Sequence, residues 1–285
     1  MVQSAIAGLV AGGAYAMIGV VIVLMFRMVR VLNFAQAGVG AFGTFTMASL
    51  YAHGMAYLPA TIVGVASAAA ISALLGAVMA VWFADVPLHT RSTVAIAMLI
   101  GMIMIGYRVF GSNPRDIPPL FGHHGVKVGG VVITASSIAV VVATIIIACG
   151  LALYLRRTRT GLRLRALSER PQTAELLGVP ARQLSIIVWA LGGALTSLGI
   201  QVVAPTQAND FASLALLVVP AFAAASLGLF RNFGIAVAGG IGIGIIEGLS
   251  THYSSIASYQ EVVPLIVLGM VLLWSQRKEV WDDAR

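Results

Sequence analysis

The sequence predicts an all-α, polytopic integral membrane protein of eight to nine transmembrane helices. Of its 285 residues, 59% are apolar and only 9% are charged. A soluble domain carries about 25% charged residues, so this chain could not clothe a water-facing surface of its size. A hydrocarbon solvent removes the difficulty, because apolar side chains can face lipid. The apolar residues also come in long runs, and a bilayer core about 30 Å thick needs roughly 20 of them per helix.

The runs lie near 5–26, 34–52, 59–83, 93–110, 131–155, 184–204, 212–229, 234–250 and 261–276. No basic residue precedes the first, so it lacks the n-region of a cleaved secretory signal and is expected to remain as a span. The second is rich in Gly, Thr and Ser and is the candidate for a broken or re-entrant helix, tolerated where protein or a cavity surrounds it. The lone cysteine, Cys149, falls inside an apolar run and reads as a small buried hydrophobe. With no linker and no low-complexity tract, residues 1–285 are expected to form a single transmembrane domain.

Lys and Arg are retained on the cytoplasmic side. If all nine runs cross, starting outside, every one of the 17 basic residues except Arg108, Arg115 and Lys127 lies inside. The expected topology is an outside N-terminus and a cytoplasmic C-terminus in the plasma or inner membrane. The net charge of +7 sits at helix ends rather than on one clustered face. It serves topology, and no nucleic-acid partner is expected.

The longest inner loop, 156–183, is punctuated by Pro171, Gly178 and Pro180. A short helix is expected over 172–177, with Pro171 in its first turn and Gly178 near its end. Ala174 and Leu177 are three apart and are expected to share a face. Such a helix suits docking on a soluble partner, or rest on the lipid headgroups. The longest outer loop, 111–130, holds Asn113-Pro114, Pro118-Pro119 and Gly129-Gly130, and reads as a turn-rich cap or hairpin. His123-His124 lack a third ligand at metal spacing, so no metal is expected there.

Catalytic signatures are missing. Gly38-Val39-Gly40-Ala41-Phe42-Gly43 matches GxGxxG, but no strand and no later acid accompany it, so helix packing is the better reading. Gly8/Gly12, Gly240/Gly244 and Gly244/Gly248 are spaced four apart, which lets helix backbones approach in lipid. There is no phosphate loop, and neither Lys127 nor Lys278 follows a glycine. HExxH and GxSxG are absent too. Polar groups inside spans are costly and informative. Asn33, Gln36, Gln201 and Glu247 are the candidates for a translocation pathway; each could equally hold neighbouring helices together.

Several stretches in order resemble one family. Ala11-Gly12-Gly13-Ala14-Tyr15-Ala16, Val31-Leu32-Asn33-Phe34-Ala35, the loop from Thr160-Gly161 through Arg165-Ala166 and Glu169 to Leu176-Leu177-Gly178, and Gly239-Gly240 with Gly244 and Glu247-Gly248 are similar to the shorter permease subunit of branched-chain amino acid ABC importers. The resemblance covers nearly the whole chain. It implies two paired permeases, two cytoplasmic ATPases and an extracytoplasmic substrate-binding protein, all working in membrane lipid. It also implies that Gly161, Arg165, Ala166, Glu169, Ala174, Leu177 and Gly178 contact or shape the ATPase interface. No cofactor is expected on this chain, ATP being bound by the partner subunits.

The family usually follows Asn-Phe-Ala with His-Gly and an acid, whereas Gln36, Ala37 and Gly38 stand here. The solute could therefore be an amide, urea or an aromatic or other carboxylate instead of a branched-chain amino acid. The rivals from other classes are a secondary transporter and an intramembrane enzyme. The first would need more intramembrane acids than Glu247, and the second a nucleophile or metal constellation.

Overall fold

The computed structural model describes residues 2–84, 86–117, 125–128, 131–207, 210–251 and 262–282. Twelve helices are described: α1 (Val2–Val29), α2 (Ala35–Ala52), α3 (Tyr57–Trp82), α4 (Leu88–Phe110), α5 (Ala135–Arg157), α6 (Arg159–Glu169), α7 (Pro171–Leu176), α8 (Ala181–Val203), α9 (Phe211–Leu216), α10 (Val218–Leu227), α11 (Phe233–Ser250) and α12 (Val263–Asp282). Six are long and apolar enough to cross a bilayer: α1, α3, α4, α5, α8 and α11. A small hairpin pairs β1 (Gly125–Val128) with antiparallel β2 (Val131–Thr134), in a register that sets Val126 against Ile133. The outer loop thus holds the expected hairpin, but the run 131–155 is helical only from Ala135. His123 and His124 lie outside the described residues.

α1 is the central post. Its apolar window is 83% buried, against 22% for α4 and α5, so those two form the lipid-facing wall. Buried glycines let α1 and α11 touch along their length. A Cβ on Gly12 would lie 3.0 Å from the Gly240 carbonyl oxygen, and one on Gly244 would enter the Gly12 backbone. Such approach replaces a hydrophobic driving force that lipid cannot supply. From the other side, the Thr144 hydroxyl of α5 donates to the Gly13 carbonyl of α1 at 3.1 Å.

α2 is one continuous helix, which corrects the expectation of a break at 34–52. It contains no proline, and its glycines meet three different neighbours. Cβ atoms at Gly38, Gly40 and Gly43 would lie 3.1 Å from Met102 of α4, 2.7 Å from Thr196 of α8 and 2.6 Å from the Gly64 oxygen of α3. Two of its hydroxyls turn back on the helix itself, Thr44 donating to the Gly40 carbonyl and Thr46 to the Phe42 carbonyl, each at 2.9 Å, while Ser49 Oγ accepts from the Arg115 guanidinium. The broken segment is instead 211–227, where α9 stops at Leu216 and α10 resumes at Val218. Pro220 has no N–H to offer the Leu216 carbonyl four residues back, which removes the rung that would join them.

Cys149 is exposed on α5, beside the exposed Ile145 and Ile146, and not buried as expected. Lipid tails are as apolar as a protein core, so burial confers no advantage on a small hydrophobe here. The α1–α2 reversal turns on Arg30, whose φ of +50° is left-handed. Around it Phe34 stacks on Phe222 at 4.5 Å, and Phe230 lies 5.0 Å from Phe222 and 5.4 Å from Phe26.

Gly244→Leu is expected to lower the thermal stability of the purified protein strongly, at or beyond the upper end of the overpacking range of about 1–3 kcal/mol. Gly242→Leu, on the same helix but with nothing within 4 Å of a Cβ, should change it little. Thermal unfolding in detergent checks the contrast.

Candidate functional site

The loop 156–183 builds an elbow of two helices, of which the sequence showed only the second. Thr158 caps α6, its Oγ1 accepting from the Gly161 N–H at 2.9 Å. α6 buries Gly161, Leu164 and Leu167. A Cβ on Gly161 would lie 2.6 Å from the Leu155 Cα and oxygen, so only glycine allows α6 to press on the end of α5. The Arg30 guanidinium donates to the Ser168 carbonyl at 2.6 Å and ties α6 to the α1–α2 turn.

α7 starts at Pro171, as expected. Its end is closed by Val179 N–H donating to the Ala174 carbonyl at 3.0 Å and Gly178 N–H donating to Glu175 at 2.9 Å. Gly178 has φ +80°, the left-handed conformation that glycine reaches without penalty. Ala174 is buried and holds α7 down. Leu177 does not share its face, because it is the C-cap residue and is 80% exposed; Leu176 beside it is 89% exposed. Two adjacent leucines on so short a helix cannot both turn inward, a signal that could have singled out Leu176. Ala166 and Glu169 are exposed and Arg165 is half-buried. Of the residues named for this loop, Gly161, Ala174 and Gly178 therefore shape it, while Ala166, Glu169 and Leu177 present outward.

The intramembrane polar residues do not converge. Asn33 and Gln36 are fully buried; Asn33 Nδ2 donates to Gln36 Oε1 at 2.7 Å. Gln36 packs against Gly192 of α8. Gln201 lies nine residues further along α8, about 13 Å by helical rise, and its Nε2 donates to Ser197 Oγ at 3.1 Å. Glu247 stands on α11 and accepts from the Tyr15 hydroxyl of α1 at 2.8 Å. Asn33 Oδ1, Gln36 Nε2 and Gln201 Oε1 have no hydrogen-bond partner among the described residues. Buried atoms left this way are costly and mark the α2–α8 seam as a place that water or a polar solute would stabilise.

Asn33→Ala should destabilise the fold by about 1–3 kcal/mol, because the Gln36 carbonyl loses its donor. Asn33→Leu with Gln36→Met removes both partners together and should recover most of that loss in thermal unfolding. If the pair also serves passage of a solute, uptake stays low in the stable double variant; if it is purely structural, uptake returns.

The comparisons with known proteins point one way. Residues 4–272 match the family described as branched-chain amino acid transport system, permease component. The chain is 26% identical over 291 residues to the high-affinity branched-chain amino acid transport system permease protein BraD of Pseudomonas aeruginosa, covering 95% of this chain and 93% of that protein. It is 25% identical over 282 residues to the corresponding permease LivH of Escherichia coli, covering 93% and 91%. A probable LivH of Methanocaldococcus jannaschii is 33% identical over a shorter stretch of 135 residues, 45% of this chain and 43% of that one. A bundle of apolar helices, matched to this family over nearly its whole length, is a multi-pass membrane permease: the chain belongs to the branched-chain amino acid transport system permease family.

Proposed function

We propose that the chain is the membrane-spanning subunit of an ATP-driven importer for branched-chain amino acids or a chemically related small solute. The observation that carries this reading is the pair Leu176 and Leu177, held out from the elbow at 89% and 80% exposure. Apolar side chains on a rigid knuckle outside the hydrocarbon region gain by being covered with a protein partner. Two cytoplasmic ATPases fit that role, and the full-length similarity to importer permeases supports it. A second permease would complete the route, and an extracytoplasmic binding protein would deliver the solute. The arginine-rich elbow then faces the cytoplasm, in accord with retention of basic residues there.

In this reading the permease makes and breaks no covalent bond. ATP binding draws the ATPases together, the two elbows move with them, and the helices rock between inward-open and outward-open states. Arg30 and the Gly161 contact carry that motion from α6 into α1 and α5. The departure at Gln36-Ala37-Gly38 from the pattern that the resemblance implies leaves amides, urea and aromatic or other carboxylates as a second class of solute.

Leu176→Asp with Leu177→Asp is expected to reduce retention of the ATPases on the purified permease by about thirtyfold, the loss that follows from removing a hot spot of about 2 kcal/mol. Uptake should fall with it, while the permease still reaches the membrane. Normal ATPase retention and uptake in that variant would refute the docking role. Competition of labelled leucine uptake by acetamide or urea, with the binding protein present, separates the solute classes.

A further inference from the structure

Between the α6–α7 elbow and the helix bundle lies a cavity of about 660 Å³. Among the described residues, Arg30, Arg91, Arg170 and Arg182 line it, against one lining carboxylate, Glu175. Two of these arginines are already positioned by backbone carbonyls: Arg30 donates to Ser168 and Arg91 to Ala84. α8, a helix of 23 residues, opens onto the cavity through Ala181, Arg182 and Ser185, and no side chain caps its first turn. The positive end of its dipole therefore faces the same space. Trp189 also lines the cavity; it is 1% exposed and its indole N–H has no hydrogen-bond partner among the described residues. A buried donor without an acceptor is costly and points to an occupant that supplies one. Met28, Val31, Met79 and Phe83 supply an apolar part of the lining.

These features together describe a receptor for an anionic head joined to an apolar body. Its walls are the ends of α1 and α3 and the first turns of α4 and α8, the depth at which hydrocarbon gives way to headgroups. Trp82, 69% exposed at the end of α3, is the residue type that gathers at that level. We propose that this cavity binds the phosphate headgroup of an anionic phospholipid, with Arg170 and Arg182 gripping the phosphate and the apolar part of the lining receiving the start of the acyl chains. Neither the transported solute nor the docking of ATPases enters into this assignment. Occupancy would brace the elbow against the bundle and make the permease sensitive to the charge of its membrane.

The test uses the purified full chain in nanodiscs of phosphatidylcholine alone or mixed with phosphatidylglycerol, with native mass spectrometry reading the retained lipid. Phosphatidylglycerol should be retained selectively by the natural chain. Arg170→Gln with Arg182→Gln should weaken that retention by about tenfold or more, since each basic group near the surface contributes on the order of 1 kcal/mol. Arg170→Lys with Arg182→Lys should keep the selectivity. Inorganic phosphate, added to the phosphatidylcholine discs, should not raise the melting temperature, whereas phosphatidylglycerol should. Equal retention of both lipids by the natural chain, equal loss in the lysine and glutamine pairs, or stabilisation by free phosphate in place of lipid would each overturn the proposal. So would a cross-linker at position 182 that captures a partner polypeptide in the assembled transporter and no lipid.

Discussion

The close seam between α1 and α11 is the constraint on which the rest of the architecture depends. In water, helices are driven together by the removal of apolar surface. In hydrocarbon that force is absent, and association rests on dispersion and on backbone approach. Gly8 and Gly12 facing Gly240, Gly244 and Gly248 bring two backbones into direct contact. Once α11 is docked there, α10 is carried against α1 by the short turn through Phe230, and α5 closes the far side through Thr144 and Gly13. The same device recurs where α2, α3 and α8 meet, at Gly43 with Gly64 and at Gly76 with Trp189.

A second consequence of the solvent is that every buried polar atom must be answered from within. Hydroxyls of α2 turn back on their own helix, and Ser72 of α3 donates to the Trp189 carbonyl of α8 at 2.6 Å. Glu247 is answered by Tyr15 across the α1–α11 seam, so that carboxylate contributes to helix pairing whatever else it does. Among the described residues, unanswered atoms include Asn33 Oδ1, Gln36 Nε2 and Gln201 Oε1 at the α2–α8 seam, Trp189 Nε1 on α8 and the Tyr57 and Thr61 hydroxyls on α3.

Much of this was legible in the residues. Composition selected the membrane, glycines four apart located the tight seam, and Pro171 with Gly178 bracketed α7. What failed did so for identifiable reasons. Glycine content suggested a break in α2, yet small residues serve close packing as readily as flexibility, and the break fell at Pro220 instead. A three-residue spacing placed Ala174 and Leu177 on one face, but the helix ends before Leu177 and the periodicity no longer applies. α6 escaped notice because its arginines masked the buried Gly161, Leu164 and Leu167. The cavity could not be read at all, since its arginines come from two helices, α4 and α8, and two turns, α1–α2 and α6–α7, that only tertiary structure brings together.

The burial of α1 has a consequence for biogenesis. The most enclosed of the candidate spans, α1, leaves the ribosome well before α11, and Tyr15 meets Glu247 only 232 residues later. At translation rates of about 5–20 residues per second, α1 waits on the order of ten seconds or longer for its principal companion. Throughout that delay its glycine groove lies open to lipid or to the insertion machinery. An apolar coat on all sides, with no polar stripe to mark the future seam, lets the nascent helix stay in the bilayer alone until α11 arrives to cover it.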